Sequence, residues 1–183
     1  MPEQNEELYL QLQDNEWPLT YTDHTRQIAR AIVFDDNGNF HFMQVRRNDV
    51  FGNGRFIETS GGGIEPGETP YTAILRELKE ELGAEVEVLC KIGVVSDYYN
   101  LIHRHNINHY FLCRILSFGQ RCPTQEEREK FDITPLCLNY DEALAQYEAC
   151  CGEKWGRLLA QREIPLLQQA KKLIDTRKQW QEQ

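Results

Sequence analysis

Apolar and polar positions alternate along this chain in a way that separates strands from helices. Residues 26–34 (RQIARAIVF) carry Ile28, Ala31, Ile32, Val33 and Phe34 as a mostly apolar run, the pattern of a largely buried strand. Asp35-Asp36-Asn37-Gly38-Asn39 then supplies hairpin-turn chemistry, because Asn-Gly accepts positive φ, and residues 40–46 return as a second strand. A Gly-rich loop (VFGNG) leads to a short strand, RFIET. From 85 to 95, Val86, Val88, Cys90 and Ile92 alternate with Glu85, Glu87 and Lys91, a half-buried strand, and 107–116 forms another. Residues 119–130 are polar and loop-like. A short strand near 131–138 precedes a helix starting around Asn139 or Asp141, and 157–180 is an amphipathic helical tail in which Pro165 marks a restart or kink. Residues 1–22 are polar and acidic and read as an irregular arm or a short edge element.

The densest information lies in residues 61–84, GGGIEPGETPYTAILRELKEELGA. Thr69 is a good N-cap, Pro70 suits the first helical position, and Gly83 suits the position just past the end. They bound a helix of about thirteen residues. At about 100° per residue, Ile74, Leu75, Leu78 and Leu82 share one arc, and Glu77, Glu80 and Glu81 share the next. Glu77 neighbours both other acids. On this projection Arg76 and Lys79 fall on the far side of the apolar stripe and cannot neutralise all three like charges. A divalent cation would reconcile them, since Mg²⁺ and Mn²⁺ prefer oxygen ligands. A plain solvated face is the alternative, but it does not require Gly61, Gly62, Gly63 and Gly67, nor the extra carboxylates of Glu65 and Glu68.

Gly62, Glu68, Arg76, Glu77, Leu78, Glu80, Glu81 and Gly83 fall at the spacing G-x5-E-x7-R-E-U-x-E-E-x-G-U, and on these residues the chain resembles the Nudix hydrolases. Ala84 is the one departure, at a place where the family has a larger aliphatic residue. The resemblance covers residues 62–84. It implies an α+β fold, an αβα sandwich around a mixed β-sheet, spanning 1–183 as a single domain with an N-terminal arm (1–22) and a C-terminal helical tail (157–183). Hydrophobic pattern alone supports only a single α+β domain. The resemblance also implies hydrolysis of a pyrophosphate bond in a nucleoside diphosphate linked to another moiety, with Mg²⁺ or Mn²⁺ as cofactor. Carried over position by position, Glu77, Glu80 and Glu81 are metal ligands, the Gly61 carbonyl is a further one, and Glu68 is auxiliary. Arg76 would orient a catalytic carboxylate, Glu77 first, by a charge-assisted hydrogen bond. The general base is a box glutamate or an acid on a late loop, where Glu127 is the choice among Glu126, Glu127 and Glu129.

Composition narrows the classes. The 183 residues carry a net charge of −9, with 40% hydrophobic and 27% charged residues. That balance suits a soluble protein and argues against general affinity for nucleic acid. No stretch is apolar enough to span a membrane and the N-terminus lacks signal-peptide character, so a cytoplasmic location is expected. Of the six cysteines, none forms a C-x-x-C pair, and they read as reduced packing thiols.

The expected partner is a small phosphorylated, nucleotide-like substrate, and a homodimer stays open. Arg46, Arg47 and Arg55 are candidates for its phosphates. Arg104 and His105, within His103-Arg104-His105 and His109, could hold phosphate or stack on a base. Tyr98 and Tyr99 either stack on a nucleobase or simply end a strand. Marks of particular Nudix subfamilies are missing, so the substrate is open. Two other readings remain: a ligand-binding regulator or other non-hydrolytic protein on the same fold, and an isoprenoid diphosphate isomerase, whose cysteine-bearing segment is not recognisable here.

Overall fold

In the computed structural model, the structure describes residues 7–120 and 132–181. The elements are β1 (Leu8–Leu12), β2 (His24–Phe34), β3 (Phe40–Asp49), β4 (Gly52–Glu58), β5 (Ser60–Gly63), α1 (Pro70–Glu81), β6 (Ala84–Tyr99), β7 (Arg104–Phe118), β8 (Asp132–Leu138), α2 (Tyr140–Ala149) and α3 (Lys154–Gln181). The strands form one mixed sheet in the order β1-β6-β7-β2-β3-β4, with β5 added to β2 and β8 to β3. β1 joins β6 in parallel and β2 joins β7 in parallel, while the other pairings are antiparallel.

Alternation along β2 assigns the two faces. Ala29, Ala31 and Val33 point to α1 and pack with Ala73, Ile74, Leu78, Leu82, Phe111 and Cys113. Ile32 and Phe34 point the other way, into a larger core with Tyr110, Leu112 and side chains of α2 and α3. Ala29 and Ala31 are fully buried. Their small side chains let α1 lie close to the sheet, which brings its acidic flank to β5. Each fully buried aliphatic side chain of α1 contributes roughly 1.5–3 kcal/mol.

Within residues 1–22 the short edge element is the reading that holds: β1 lies at the end of the sheet, paired with Gly93–Asp97 of β6. Other expectations are corrected. The VFGNG segment is mostly strand, because β4 starts at Gly52 and forms a hairpin with β3. β6 and β7 each run several residues past their apolar stretches. Pro165 neither restarts nor breaks the tail, and α3 runs through it as one helix.

A buried polar network ties α3 to the sheet. Arg162 donates to Asp97 at 3.0 Å, to Glu163 at 2.9 Å and to the Tyr99 hydroxyl at 2.9 Å. Glu163 also accepts from Tyr110 at 2.8 Å and from Thr59 at 3.3 Å. Burial alone would lower the Arg162 pKa, but Tyr110, Tyr99, Glu163 and Asp97 around it raise it.

Candidate active site

Local chemistry builds α1 as its sequence requires. The Thr69 hydroxyl accepts from the Thr72 N–H, the Thr72 hydroxyl accepts in turn from the Thr69 N–H, and Pro70 opens the helix. Gly83 ends it at φ 64°. The preceding loop folds on itself: the Glu65 N–H donates to Glu68 Oε2 at 2.9 Å, and Gly67 turns at φ 86°.

The acids converge against β5. The Gly61 N–H donates to Glu81 Oε2 at 2.9 Å. A Cβ on the next residue, Gly62, would lie 2.5 Å from Glu77 Oε1, so only glycine admits the Glu77 carboxylate at this place. Glu77 is 8% exposed. Gly61 itself has φ 144°, and a Cβ there would meet the Ala29 carbonyl oxygen. Gly62 thus leaves room for the Glu77 carboxylate and the Gly61 N–H anchors that of Glu81, so both acids meet β5.

Arg76 corrects the helical projection. It is an i,i+4 neighbour of Glu80, only about 40° away on the wheel. Its guanidinium donates to Glu77 at 2.8 Å, to Glu80 at 3.3 Å, to both oxygens of Glu68 at 2.8 and 2.9 Å, and to the Gly63 carbonyl at 3.1 Å. This pairing holds the Glu68 carboxyl down at about 2 and pushes the arginine well above its ordinary value. Three carboxylates, those of Glu68, Glu77 and Glu80, share the single positive charge of Arg76, with Glu81 beside them on the same helix. The donors of this cluster are all oxygen, the set that Mg²⁺ and Mn²⁺ take.

The candidate substrate residues do not come together as a group. Arg46 and Arg55 are exposed partners across β3 and β4, and Arg47 pairs with Asp49 at 2.9 Å while covering Phe56. Arg104 and His105 are consecutive on β7 and point to opposite faces. The His105 ring meets Ser96 at 2.8 Å and Thr25 at 3.1 Å, and stacks on Tyr98. His109 meets Gln27, and His103 stacks on Tyr21. Tyr99 lies under Arg104 and against Phe51. Glu127 lies outside the described residues.

Arg104 instead belongs to a set that sequence reasoning misses. Arg26, two residues before the apolar run of β2, shares its face, and its guanidinium lies 3.0 Å from where a Gly63 Cβ would be. Burial, and then the neighbouring Arg26, push the Arg104 guanidinium below its ordinary value. Arg104 Nε is buried without a hydrogen-bond partner, as is Oδ1 of Asn106, which is 1% exposed. The only signal for this set is β-strand parity, which puts 24, 26, 104 and 106 on one face once β2 and β7 are known to pair in parallel.

Comparison with known proteins agrees with this architecture. The NUDIX domain model matches residues 24–149. The chain is 33% identical over 85 residues to an 8-oxo-dGTP diphosphatase of Proteus vulgaris, a match covering 46% of this chain and 72% of that one. It is 36% identical over 75 residues to an RNA pyrophosphohydrolase of a Nitratiruptor species, covering 40% of this chain and 43% of the relative. A NUDIX hydrolase from Nitrosomonas europaea superposes with a TM-score of 0.57 at 16% identity, over 68% of this chain and 79% of that one, a likeness of fold. The chain belongs to the Nudix family, and its class is that of the Nudix pyrophosphohydrolases, which act on nucleotide-like substrates with a divalent metal. Among the described residues, no helix is long and apolar enough to cross a membrane.

Proposed function

We propose that this chain hydrolyses a nucleoside triphosphate or a closely related nucleoside diphosphate derivative, with Mg²⁺ or Mn²⁺ held by Glu77, Glu80, Glu81 and the Gly61 carbonyl. The observation that carries the reading is the Arg76 array, which gathers Glu68, Glu77 and Glu80 beside two glycines that admit no side chain. The bound cation supplies charge neutralisation at the anhydride oxygens and lowers the pKa of a water. The protein's own groups do the placing. Arg76 fixes the Glu77 and Glu80 carboxylates, and Glu68 fixes Arg76. The attacking water gives its proton to a box glutamate or to Glu127.

On the other face, Arg26 and Arg104 offer positive charge where a substrate phosphate would enter past Gly63, and the Asn106 amide oxygen can accept from a sugar hydroxyl or base amine. Arg104 carries forward as a substrate residue. Arg46, Arg47 and Arg55 belong to the rim on the β3–β4 hairpin, and His105 acts by fixing the strand. The names of the two relatives make a free nucleotide and a triphosphorylated RNA end the first substrates to compare. A net charge of −9 favours the free nucleotide. We place the protein in the cytoplasm, where free nucleotides are met, and light scattering in solution will test the homodimer.

The test is a panel of nucleoside triphosphates, 8-oxo-dGTP, nucleotide sugars, dinucleoside polyphosphates and a triphosphorylated RNA oligomer, with each metal and with EDTA. Metal-dependent release of phosphate or pyrophosphate from one class, lost in Glu80→Gln, supports the proposal. Tight binding without turnover across the panel would instead favour a ligand-binding regulator on this fold.

A further inference from the structure

We infer that the β2–β3 turn and strand β8 carry a second metal site, formed by Asp35, His41 and Cys137, that takes Zn²⁺ or another borderline-soft divalent ion. Its chemistry is unlike that of the glutamate cluster. It offers one carboxylate oxygen, one imidazole nitrogen and one thiol sulfur, a set that suits zinc and is poor for Mg²⁺.

Three features place these ligands. His41 and Cys137 are direct cross-strand partners of β3 and β8, so both side chains leave the sheet on one face. Asp35 begins the turn that returns β2 into β3. One of its oxygens, Oδ1, is committed to the turn, accepting from the N–H groups of Asn37 at 2.9 Å and Asn39 at 3.0 Å. That leaves Oδ2 oriented at His41 Nε2, 3.1 Å away. Cys137 Sγ lies 3.7 Å from the same nitrogen, and all three ligand atoms fall within 4.8 Å of one another.

The two separations from His41 Nε2 suit a tetrahedral ion. With bonds of about 2.05 Å to N and O and about 2.3 Å to S, tetrahedral edges are about 3.4 Å for N–O and about 3.6 Å for N–S. The observed 3.1 and 3.7 Å differ from these by only a few tenths of an ångström. The His41 and Asp35 side chains are largely covered, at 13% and 20% exposure, while Cys137 is exposed, so an ion can reach the set from the Cys137 side. The turn amides hold the carboxylate as outer partners hold metal ligands elsewhere. Among the described residues this is the one set of His, Cys and acidic side chains gathered this closely. It lies about 20 Å along β2 from Ala29, the partner of Gly62, at roughly 3.3 Å per residue. An ion there would clamp β8 to the β2–β3 hairpin.

The experiment uses the full chain, stripped with EDTA and exchanged into buffer with excess Mg²⁺, then titrated with Co²⁺ as a spectroscopic stand-in for zinc. The expected result is a thiolate-to-cobalt charge-transfer band that saturates at equimolar metal, disappears on adding Zn²⁺, and is absent in Cys137→Ser and His41→Gln. The band should persist in Cys151→Ser and in Glu80→Gln, and Cys137→Ser should keep the Mg²⁺-dependent hydrolytic rate. Absence of a thiolate band in the folded wild type, or a band that survives Cys137→Ser, overturns the proposal. Because Glu80→Gln and Cys137→Ser are read separately, failure here leaves the hydrolase reading intact, and the reverse holds too.

Discussion

Replacing Gly62 by alanine isolates the link between backbone geometry and the candidate catalytic carboxylate. The new Cβ would sit 2.5 Å from Glu77 Oε1, 2.7 Å from its Cδ and 2.8 Å from Oε2, against at least 3.4 Å for an ordinary contact. The carboxylate must retreat by about 0.9 Å, the difference between 3.4 and 2.5 Å. The obstacle is the far end of a flexible side chain, so the fold can absorb the change, but the 2.8 Å bond from Arg76 to Glu77 cannot survive it unaltered. A displacement of about 1 Å in a reacting group costs roughly 10²-fold in rate, or about 2.7 kcal/mol of barrier. We therefore expect kcat at saturating Mg²⁺ to fall about a hundredfold in Gly62→Ala, with Tm close to that of the wild type. Gly61→Ala is the control. Its Cβ would strike the Ala29 carbonyl oxygen, which is backbone, at a φ of 144°, so Tm and activity should fall together. Steady-state kinetics on the best substrate of the panel, with calorimetry in the same buffer, read both quantities. Gly62→Ala with wild-type kcat, or with a Tm loss as large as that of Gly61→Ala, would refute the reasoning.

Three further outcomes follow from the geometry. Glu68 titrates at about 2 in the folded protein against an ordinary 4.5, so its contribution to stability is present above pH 4.5 and is lost as pH falls toward 2. Glu68→Gln should be less stable than the wild type at pH 6, and the gap in urea midpoint should close by pH 2. Arg162→Met leaves Asp97 and Glu163, 3% and 0% exposed, without their shared cation, and should cost about 3–5 kcal/mol, read as a Tm drop of about 10 °C or more. If Arg104 holds substrate away from the reacting atoms as proposed, Arg104→Gln should raise KM about tenfold or more with kcat little changed; an unchanged KM would remove Arg104 from the substrate face.

How much of the molecule is legible in the sequence depends on how far each signal acts. The helix caps Thr69, Pro70 and Gly83 work within a turn of α1, and all three stand where the spacing puts them. The Asp35–Asn39 turn is equally local. The cluster of acids is legible because i,i+3 and i,i+4 neighbours are fixed by helical geometry. The Arg76–Glu80 contact is equally local, an i,i+4 pair about 40° apart on the wheel, whereas the reach of the same guanidinium to Glu68 and the Gly63 carbonyl depends on how the preceding loop folds back on α1. Arg26 and Arg104 are hidden for a different reason: 78 residues separate them, and only the parallel pairing of β2 with β7 joins them on one face. The same holds for Arg162, whose partners come from β6 and from α3 itself. Pro165 reads as a break on local grounds, yet packing of Leu166, Leu167 and Ala170 into the core holds the helix together around it.

The central claim is that Glu77, Glu80 and Glu81 capture a hard dication that their mutual repulsion invites. Titrating the metal-stripped protein with Mn²⁺, and following the free ion by electron paramagnetic resonance, tests it most directly. The account predicts saturable uptake by the wild type, displaced by Mg²⁺, and loss of that uptake in the folded Glu77→Gln, Glu80→Gln, Glu81→Gln triple variant. Equal uptake by the two proteins, or none by the wild type, would contradict it.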